Sequence, residues 1–418
     1  MLPSLGFADC DFITGQFSKK LSNPKNIKII KVEIPKSNKF AQNAFSILAS
    51  ESKNILPQYK KKFKAKITVV YKNGLGKCSY NGTVRQHGDW KDHINYMDWK
   101  FQQSVKIKLT DGNILNATHF KLLIPKTRKN LNEVFTTILL RSLGFIAPET
   151  FQVRAEVNGH EFQYIFQEDV RKELLERNGR REGPLLEGDE SILWGYKNFG
   201  NLQLGSVALS RFINKDWLSK GDAAEKIALR SFAILQNEYA DNAVSSKIPF
   251  TSENFSKSFL DYNFLMTVLN GRHGLAGHNR QFHFNMIKNI LEPIYYDGNV
   301  NIDRKVKINP QLFPENYRYE KIKILNNYEF QEKMEQEFLE RTIIAEKKAK
   351  AFFSKAMEKT VNNSKFVENA IEAHKPDKAT LKASSQLDYQ NNISLLKKRL
   401  AAYKLQTVII DEIKKISD

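Results

Sequence analysis

The residues best equipped for chemistry lie between Asn270 and Asn299, in NGRHGLAGHNRQFHFNMIKNILEPIYYDGN. Three of the eight histidines fall there, as His273, His278 and His283. His278 and Asn279 sit in a Gly-rich polar loop, and Asp297 follows a short apolar run. An amide oxygen and a carboxylate on neighbouring elements make a hard, oxygen-rich pair suited to Mg²⁺. A polar loop and an acid at the ends of adjacent strands is also how several phosphoryl-transfer enzymes hold a metal-bound nucleotide. In that arrangement His278 orients the loop or a substrate hydroxyl; the competing reading is a histidine satisfied by backbone hydrogen bonds. On local pattern alone, the whole stretch reads first as a surface hairpin with an Asp-Gly turn. A metal hydrolase built on His273, His278 and His283 ranks lower. Their spacing of five shares neither a helix face nor consistently a strand face, and no HExxH motif is present.

The elements that would position these residues can be read from periodicity. Phe259, Leu260, Phe264, Leu265, Val268 and Leu269 keep helical spacing ahead of Gly271, a natural helix stop. Strands are expected from about Gln281 to Met286 and from Pro293 to Tyr296, joined at Lys288-Asn289. Upstream, residues 1–60 read as a strand with Ile29, Ile30, Val32 and Ile34, then a helix around Phe40 to Ser50. Residues 61–170 read as β-rich. A meander turns at Asn73-Gly74, Trp90 and Trp99 bracket a polar loop, and Val105, Ile107 and Leu109 alternate with Lys106 and Lys108. A helix capped by Asn130 or Asn132 ends at Gly144, and a hairpin turns at Asn158-Gly159. Residues 171–303 read as mostly helical, with a polar lid or insert over 180–220 and an apolar KIALRSFAIL helix before an acidic NEYADN loop. A connector over 304–328 leads to a charged helical hairpin over 329–418. There Ile393, Leu396, Leu400 and Tyr403 space as a coiled-coil seam does, which points to packing or self-association.

Composition bounds the partners. The 418 residues carry a formal net charge of +19, which attracts polyanions such as nucleotides, nucleic acid, anionic lipid or anionic glycans. No nucleic-acid-binding motif accompanies that charge. No run of about 18 apolar residues predicts a membrane span, and the N-terminus lacks the pattern of a signal peptide, reading as if it begins mid-domain. The expected location is the cytoplasm or the cell surface. Cys10 and Cys78 form no CxxC pair, so neither a zinc finger nor a disulfide framework is expected; a single bridge stays open.

The ordered set VRQHGDW, SVKIKL, FKLLIPKTRKNLNEVFTTILLRSLGFIAPET, VRAEVNGHEFQYIFQEDVRKELLERNG, HNRQFHFN and PIYYDGN resembles the CotH family, the spore-coat-protein-H-like atypical protein kinases, over roughly residues 65–300. The resemblance implies an α+β, kinase-like two-lobed core with a helical C-terminal extension. It implies ATP with Mg²⁺ or Mn²⁺, and phosphoryl transfer to a Ser or Thr hydroxyl of a partner protein. Lys106 or Lys108 would meet phosphate, Arg85 would contact phosphate or brace its loop, and Glu168 would lie at the adenine hinge or in a structural ion pair. Glu133 falls on the helix that resembles the one whose Glu pairs the lysine, but it sits opposite the apolar face and so reads first as a solvated Glu. Asp297 and Asn279 would hold the metal. The family usually carries an Asp shortly before its His-Asn pair; GRHGLAG has none, and His273 is the nearest proton acceptor. A catalytically inactive, pseudokinase-like scaffold that binds an anionic partner or assembles a surface layer is therefore the alternative.

Overall fold

A computed structural model of the chain describes residues 9–11, 21–97, 100–189, 209–244, 250, 252–305, 320–342 and 385–403. These fall into two compact units. One comprises Met1–Pro125, Phe151–Phe166 and Glu335–Asn391; the other comprises Lys126–Thr150, Gln167–Met334 and Asn392–Asp418.

In the first unit, apart from the end residues Thr150, Gln167 and Glu168, the strands are β1 (Asp9–Asp11), β2 (Ile27–Glu33), β3 (Phe63–Tyr71), β4 (Lys77–Gln86), β5 (Ile94–Met97), β6 (Lys100–Gln103), β7 (Val105–Leu109), β8 (His119–Leu123), β9 (Thr150–Val157) and β10 (His160–Glu168). The order β4-β3-β2-β9-β10-β8-β7 returns to β4 through a β4–β7 ladder, so seven strands close into a barrel with β1 attached outside β4. The β2–β3, β3–β4, β4–β7 and β7–β8 ladders are antiparallel, and β2 with β9 is parallel, which makes the barrel mixed. Alternating residues fill its interior: Ile67, Val69, Val84, Ile107, Phe120, Phe151 and Phe166 are all 0% exposed. Gly82 lets β7 close the ring, because a Cβ there would stand 2.5 Å from the Lys108 carbonyl oxygen.

This closed barrel overturns the expected kinase-like two-lobed core with a helical C-terminal extension. The local signals were hairpin signals. Asn73-Gly74 and Asn158-Gly159 both turn with positive φ at each residue, as type I′ hairpins require. The β2–β9 and β4–β7 pairings that shape the sheet are non-local, and no turn in the sequence announces them. Closure also removes the edges at which an open sheet would end.

Cys10 and Cys78 face each other in the β1–β4 register and form a disulfide with Cα atoms 4.1 Å apart. The helix α1 (Ser37–Ala49) buries Phe40, Ala44 and Ile47.

The second unit contains α2 (Leu131–Ser142), α3 (Lys172–Arg177), α4 (Asp222–Val244) and α5 (Ser258–Val268). It also carries a four-stranded sheet, β12-β11-β13-β14, from β11 (Leu185–Asp189), β12 (Leu209–Phe212), β13 (Gln281–Asn285) and β14 (Ile290–Ile294). NEYADN is not a loop but continues α4 to Val244. Phe250, Phe255, Phe259, Phe282 and Phe284 pack with Leu235 and Tyr239 into one aromatic-rich core. α5 is buried on nearly every side, through Phe259 and Tyr262–Val268, with Asn263 and Thr267 buried among its apolar residues.

Three later helices are described, Glu320–Lys323, Tyr328–Arg341 and 385–403. Ile393, Leu396 and Tyr403 of the expected seam are buried within the chain, and Tyr403 packs edge-on against Phe264. The rest of the expected helical hairpin, Trp99, most of the 304–328 connector and residues 190–208 of the expected insert lie outside the described residues. Among the described residues no helix is long and apolar enough to cross a membrane.

Candidate functional site

The second unit gathers Asp297, His273, Asn279 and Arg128 around two loops. Two short 3₁₀ turns, Arg272–Leu275 and Gly277–Asn279, follow α5, and the segment bearing Asp297 follows β14. Backbone packing holds the two loops together. A Cβ on Gly274 would stand 2.9 Å from the Tyr296 carbonyl oxygen and 3.1 Å from the Cα of Gly298, so neither loop tolerates a side chain there. Asp297 itself has φ +38°, with Asn299 at +47°, Asn270 at +57° and Lys129 at +51° nearby in the unit. Asn accepts this left-handed region readily; Asp297 and Lys129 hold it at a cost of about 1–3 kcal/mol each. Such strain marks positions whose side-chain direction the surrounding packing enforces.

The Asp297 carboxylate lies 3.4 Å from the Arg128 guanidinium through Oδ1 and 3.8 Å from His273 Nε2 through Oδ2. Asn279 donates from its amide to the His273 carbonyl at 3.1 Å, with the His273 ring 3.1 Å from the same nitrogen. That leaves its amide oxygen as the acceptor atom. His278, in the same 3₁₀ turn, precedes it.

Behind this group stands a buried network. Glu133 on α2 is 0% exposed, so it is not the solvated residue its helical position suggested. It accepts from the Tyr295 hydroxyl at 2.7 Å and from the Gln167 amide at 2.7 Å. Burial pushes its carboxyl above the usual range, while Arg128, Tyr295 and Gln167 pull it back. Burial pulls the Arg128 guanidinium down, but Asp297 and Glu133 outweigh it and hold that pKa above its ordinary value. Arg128 is thus the shared cation of two carboxylates. Its Nε has no hydrogen-bond partner among the described residues.

His273 also lines an open cleft of about 440 Å³ with Lys129, Asn270, Arg272, Asn299, Asn301, Arg304 and Lys305. Four cations and no carboxylate line it, so its field favours an anion. Arg399 of the helix 385–403 braces this region by donating to the carbonyls of Val268, Ile302 and Arg304.

The remaining residues singled out in the sequence fall elsewhere. Arg85 and Lys106 are cross-strand partners on β4 and β7 of the barrel, and Lys106 is in turn opposite Lys121 on β8. The three cations thus form one row across adjacent strands. Lys108 lies on the same strand, facing solvent. Glu168 belongs to the second unit. It is buried, accepts from the Glu149 N–H at 3.0 Å and from Arg177 Nε at 3.0 Å, and burial raises its pKa to about 7 against the pull of Arg177. His283 pairs with Glu292 in the four-stranded sheet rather than joining His273.

Sequence reasoning passed over Arg128, Tyr295 and the cleft cations. Arg128 stands in the basic run PKTRK, which reads as a solvated face. Only its position just ahead of α2 hinted otherwise. No family model matches the chain, and no curated protein matches it.

Whether a divalent metal fits can be judged from the donors. Among the described residues no group of three or more His, Cys, Asp or Glu is placed to hold one. A metal held by protein alone does not fit. Mg²⁺, which takes one or two protein oxygens and completes its shell from water and ligand phosphates, fits Asp297 with Asn279. Mn²⁺ accepts the same oxygen donors.

Proposed function

We propose that the chain binds a metal-bound nucleoside triphosphate, with ATP as the expected form, and transfers its terminal phosphoryl group to a hydroxyl of a partner protein. The observation that carries this reading is the convergence of Asp297, Asn279 and His273 beside a cleft lined by Lys129, Arg272, Arg304 and Lys305. The reading rests on that site and on the ordered motif resemblance, not on the overall fold.

The roles follow from the chemistry of each group. The cleft cations neutralise phosphate charge. Asp297 and the Asn279 oxygen would hold a divalent ion, whose positive charge would offset the charge that develops on transfer. Arg128 holds Asp297 in its strained conformation from a buried position. His273, half-exposed at the cleft, is placed to take the proton of an attacking hydroxyl, and Asp297 steadies the imidazolium that results.

One observation favours a second reading, in which the chain binds an anionic partner without turnover. Arg128 already pairs with the Asp297 carboxylate, and a neighbouring guanidinium lowers that carboxylate's attraction for a cation. Isothermal calorimetry separates the two. Under the first reading, ATP binds in the presence of Mg²⁺ or Mn²⁺ and binds far more weakly without metal, and Arg272→Gln with Arg304→Gln weakens it further. Binding that ignores metal and falls steeply with salt supports the second.

A further inference from the structure

A second cleft in the same unit, of about 420 Å³, is lined by Arg180, Arg181, His283, Asn285, Lys288 and Glu292 among others. Its base is built by the sheet. His283 on β13 and Glu292 on β14 are register partners, and His283 Nδ1 lies 3.2 Å from Glu292 Oε2. His283 is only 2% exposed. Glu292 also accepts from Asn285 at 3.3 Å and from Arg180 at 3.4 Å. Arg180 is fixed in turn by donating to the carbonyls of Asn178 at 2.7 Å and Gly144 at 3.0 Å.

This arrangement has three consequences. The Glu292 carboxylate commits Nδ1, so Nε2 is the ring nitrogen left to meet a ligand. Arg180 balances the Glu292 charge. Arg181 and Lys288 are both exposed and have no partner among the described residues, so they leave the cleft in cationic surplus. A guanidinium, an ammonium and an imidazole nitrogen approach from three different elements. That suits an anion with several oxygens; a planar carboxylate would be satisfied by one arginine. Ile287, 75% exposed at the same cleft, offers apolar surface to an organic substituent.

We propose that this cleft binds a phosphate group, as inorganic phosphate or a phosphate monoester, between His283 Nε2, Arg181 and Lys288. Nε2 accepts from a P–OH when the ring is neutral and donates to a P–O⁻ when it is protonated. None of the residues lining this cleft lines the cleft beside Asp297, so this inference stands or falls apart from the proposed function.

The test is a titration of the full chain, labelled with nitrogen-15 at histidine, with inorganic phosphate and separately with phosphoserine, read at the His283 ring resonances. The expected result is a saturable His283 shift with one or both probes, the tighter probe identifying free phosphate or ester as the ligand. Arg181→Gln with Lys288→Gln, both on the surface, should weaken binding about tenfold or more, as loss of charge-assisted hydrogen bonds requires. Arg272→Gln with Arg304→Gln should leave the His283 shift unchanged. A His283 shift that fails to saturate, or one that the Arg181 and Lys288 substitutions do not weaken, would overturn the proposal.

Discussion

Glu168→Gln tests whether the carboxylate at the end of β10 is a buried, strained charge. Its side chain is 1% exposed and receives hydrogen bonds from the Glu149 N–H and from Arg177, which lies on α3. Burial nevertheless dominates and lifts its pKa from 4.5 to about 7. Because the folded value lies above the unfolded one, the stabilising contribution is complete below pH 4.5. It is lost as pH rises through about 7. At about 1.36 kcal/mol per pH unit, that interval is worth about 3 kcal/mol. Glutamine keeps an oxygen for the Glu149 N–H but does not titrate. The assay is urea unfolding of the wild type and the variant from pH 4.5 to 8, taken as the difference between the two so that every other titration cancels. Relative to the variant, the wild type should lose about 3 kcal/mol across that range. A difference that stays flat would refute the reasoning and mean that Arg177 compensates the burial of Glu168 in full.

Two further predictions address the packing. Tyr295→Phe removes the hydroxyl that donates to Glu133 at 2.7 Å, where both residues are fully buried. It should cost about 1–3 kcal/mol. That penalty should grow as pH rises, since Glu133 then has one donor fewer to hold its charge; an equal penalty at pH 5 and pH 8, by denaturant midpoint, would contradict this. Cys10→Ser opens a bridge between positions 68 residues apart. It should lower the stability of the barrel unit by up to about 4 kcal/mol, and chemical unfolding identical to that of the oxidised wild type would count against a contribution from the bridge.

How much could be read in the sequence depended on how local each signal was. Val105, Ile107 and Leu109 alternate with Lys106 and Lys108, and that strand is found with its apolar side inward. The Asn158-Gly159 hairpin and the Gly144 stop were equally legible, because turn chemistry is written in adjacent residues. The barrel was not. Its closing β4–β7 ladder joins residues with no turn between them, and its one sequence trace, Gly82, looks like any strand glycine. At the candidate site, His273, Asn279 and Asp297 were legible as polar residues in Gly-rich loops. Arg128 was not, since it lies in a basic run that reads as surface; Glu133 stands out through the resemblance but reads as solvated from its place opposite the apolar face, and both are buried by tertiary packing. NEYADN misled for the opposite reason. Its polarity resembled a loop, while the helix continues through it and turns Tyr239 into the core. The two cysteines, read from spacing alone, gave no sign that β1 would place Cys10 opposite Cys78.

The most direct test of the central claim is transfer of radiolabelled γ-phosphate from ATP, with Mg²⁺ or Mn²⁺, to the chain itself or to a hydroxyl-bearing acceptor protein, run in parallel on the wild type and on Asp297→Asn. Asparagine keeps the shape of the side chain and removes the charge. The account predicts metal-dependent incorporation by the wild type, loss of it in the variant, and folded protein in both by circular dichroism. Folded wild-type protein that transfers no phosphate with either metal, or transfer that survives Asp297→Asn undiminished, would contradict it.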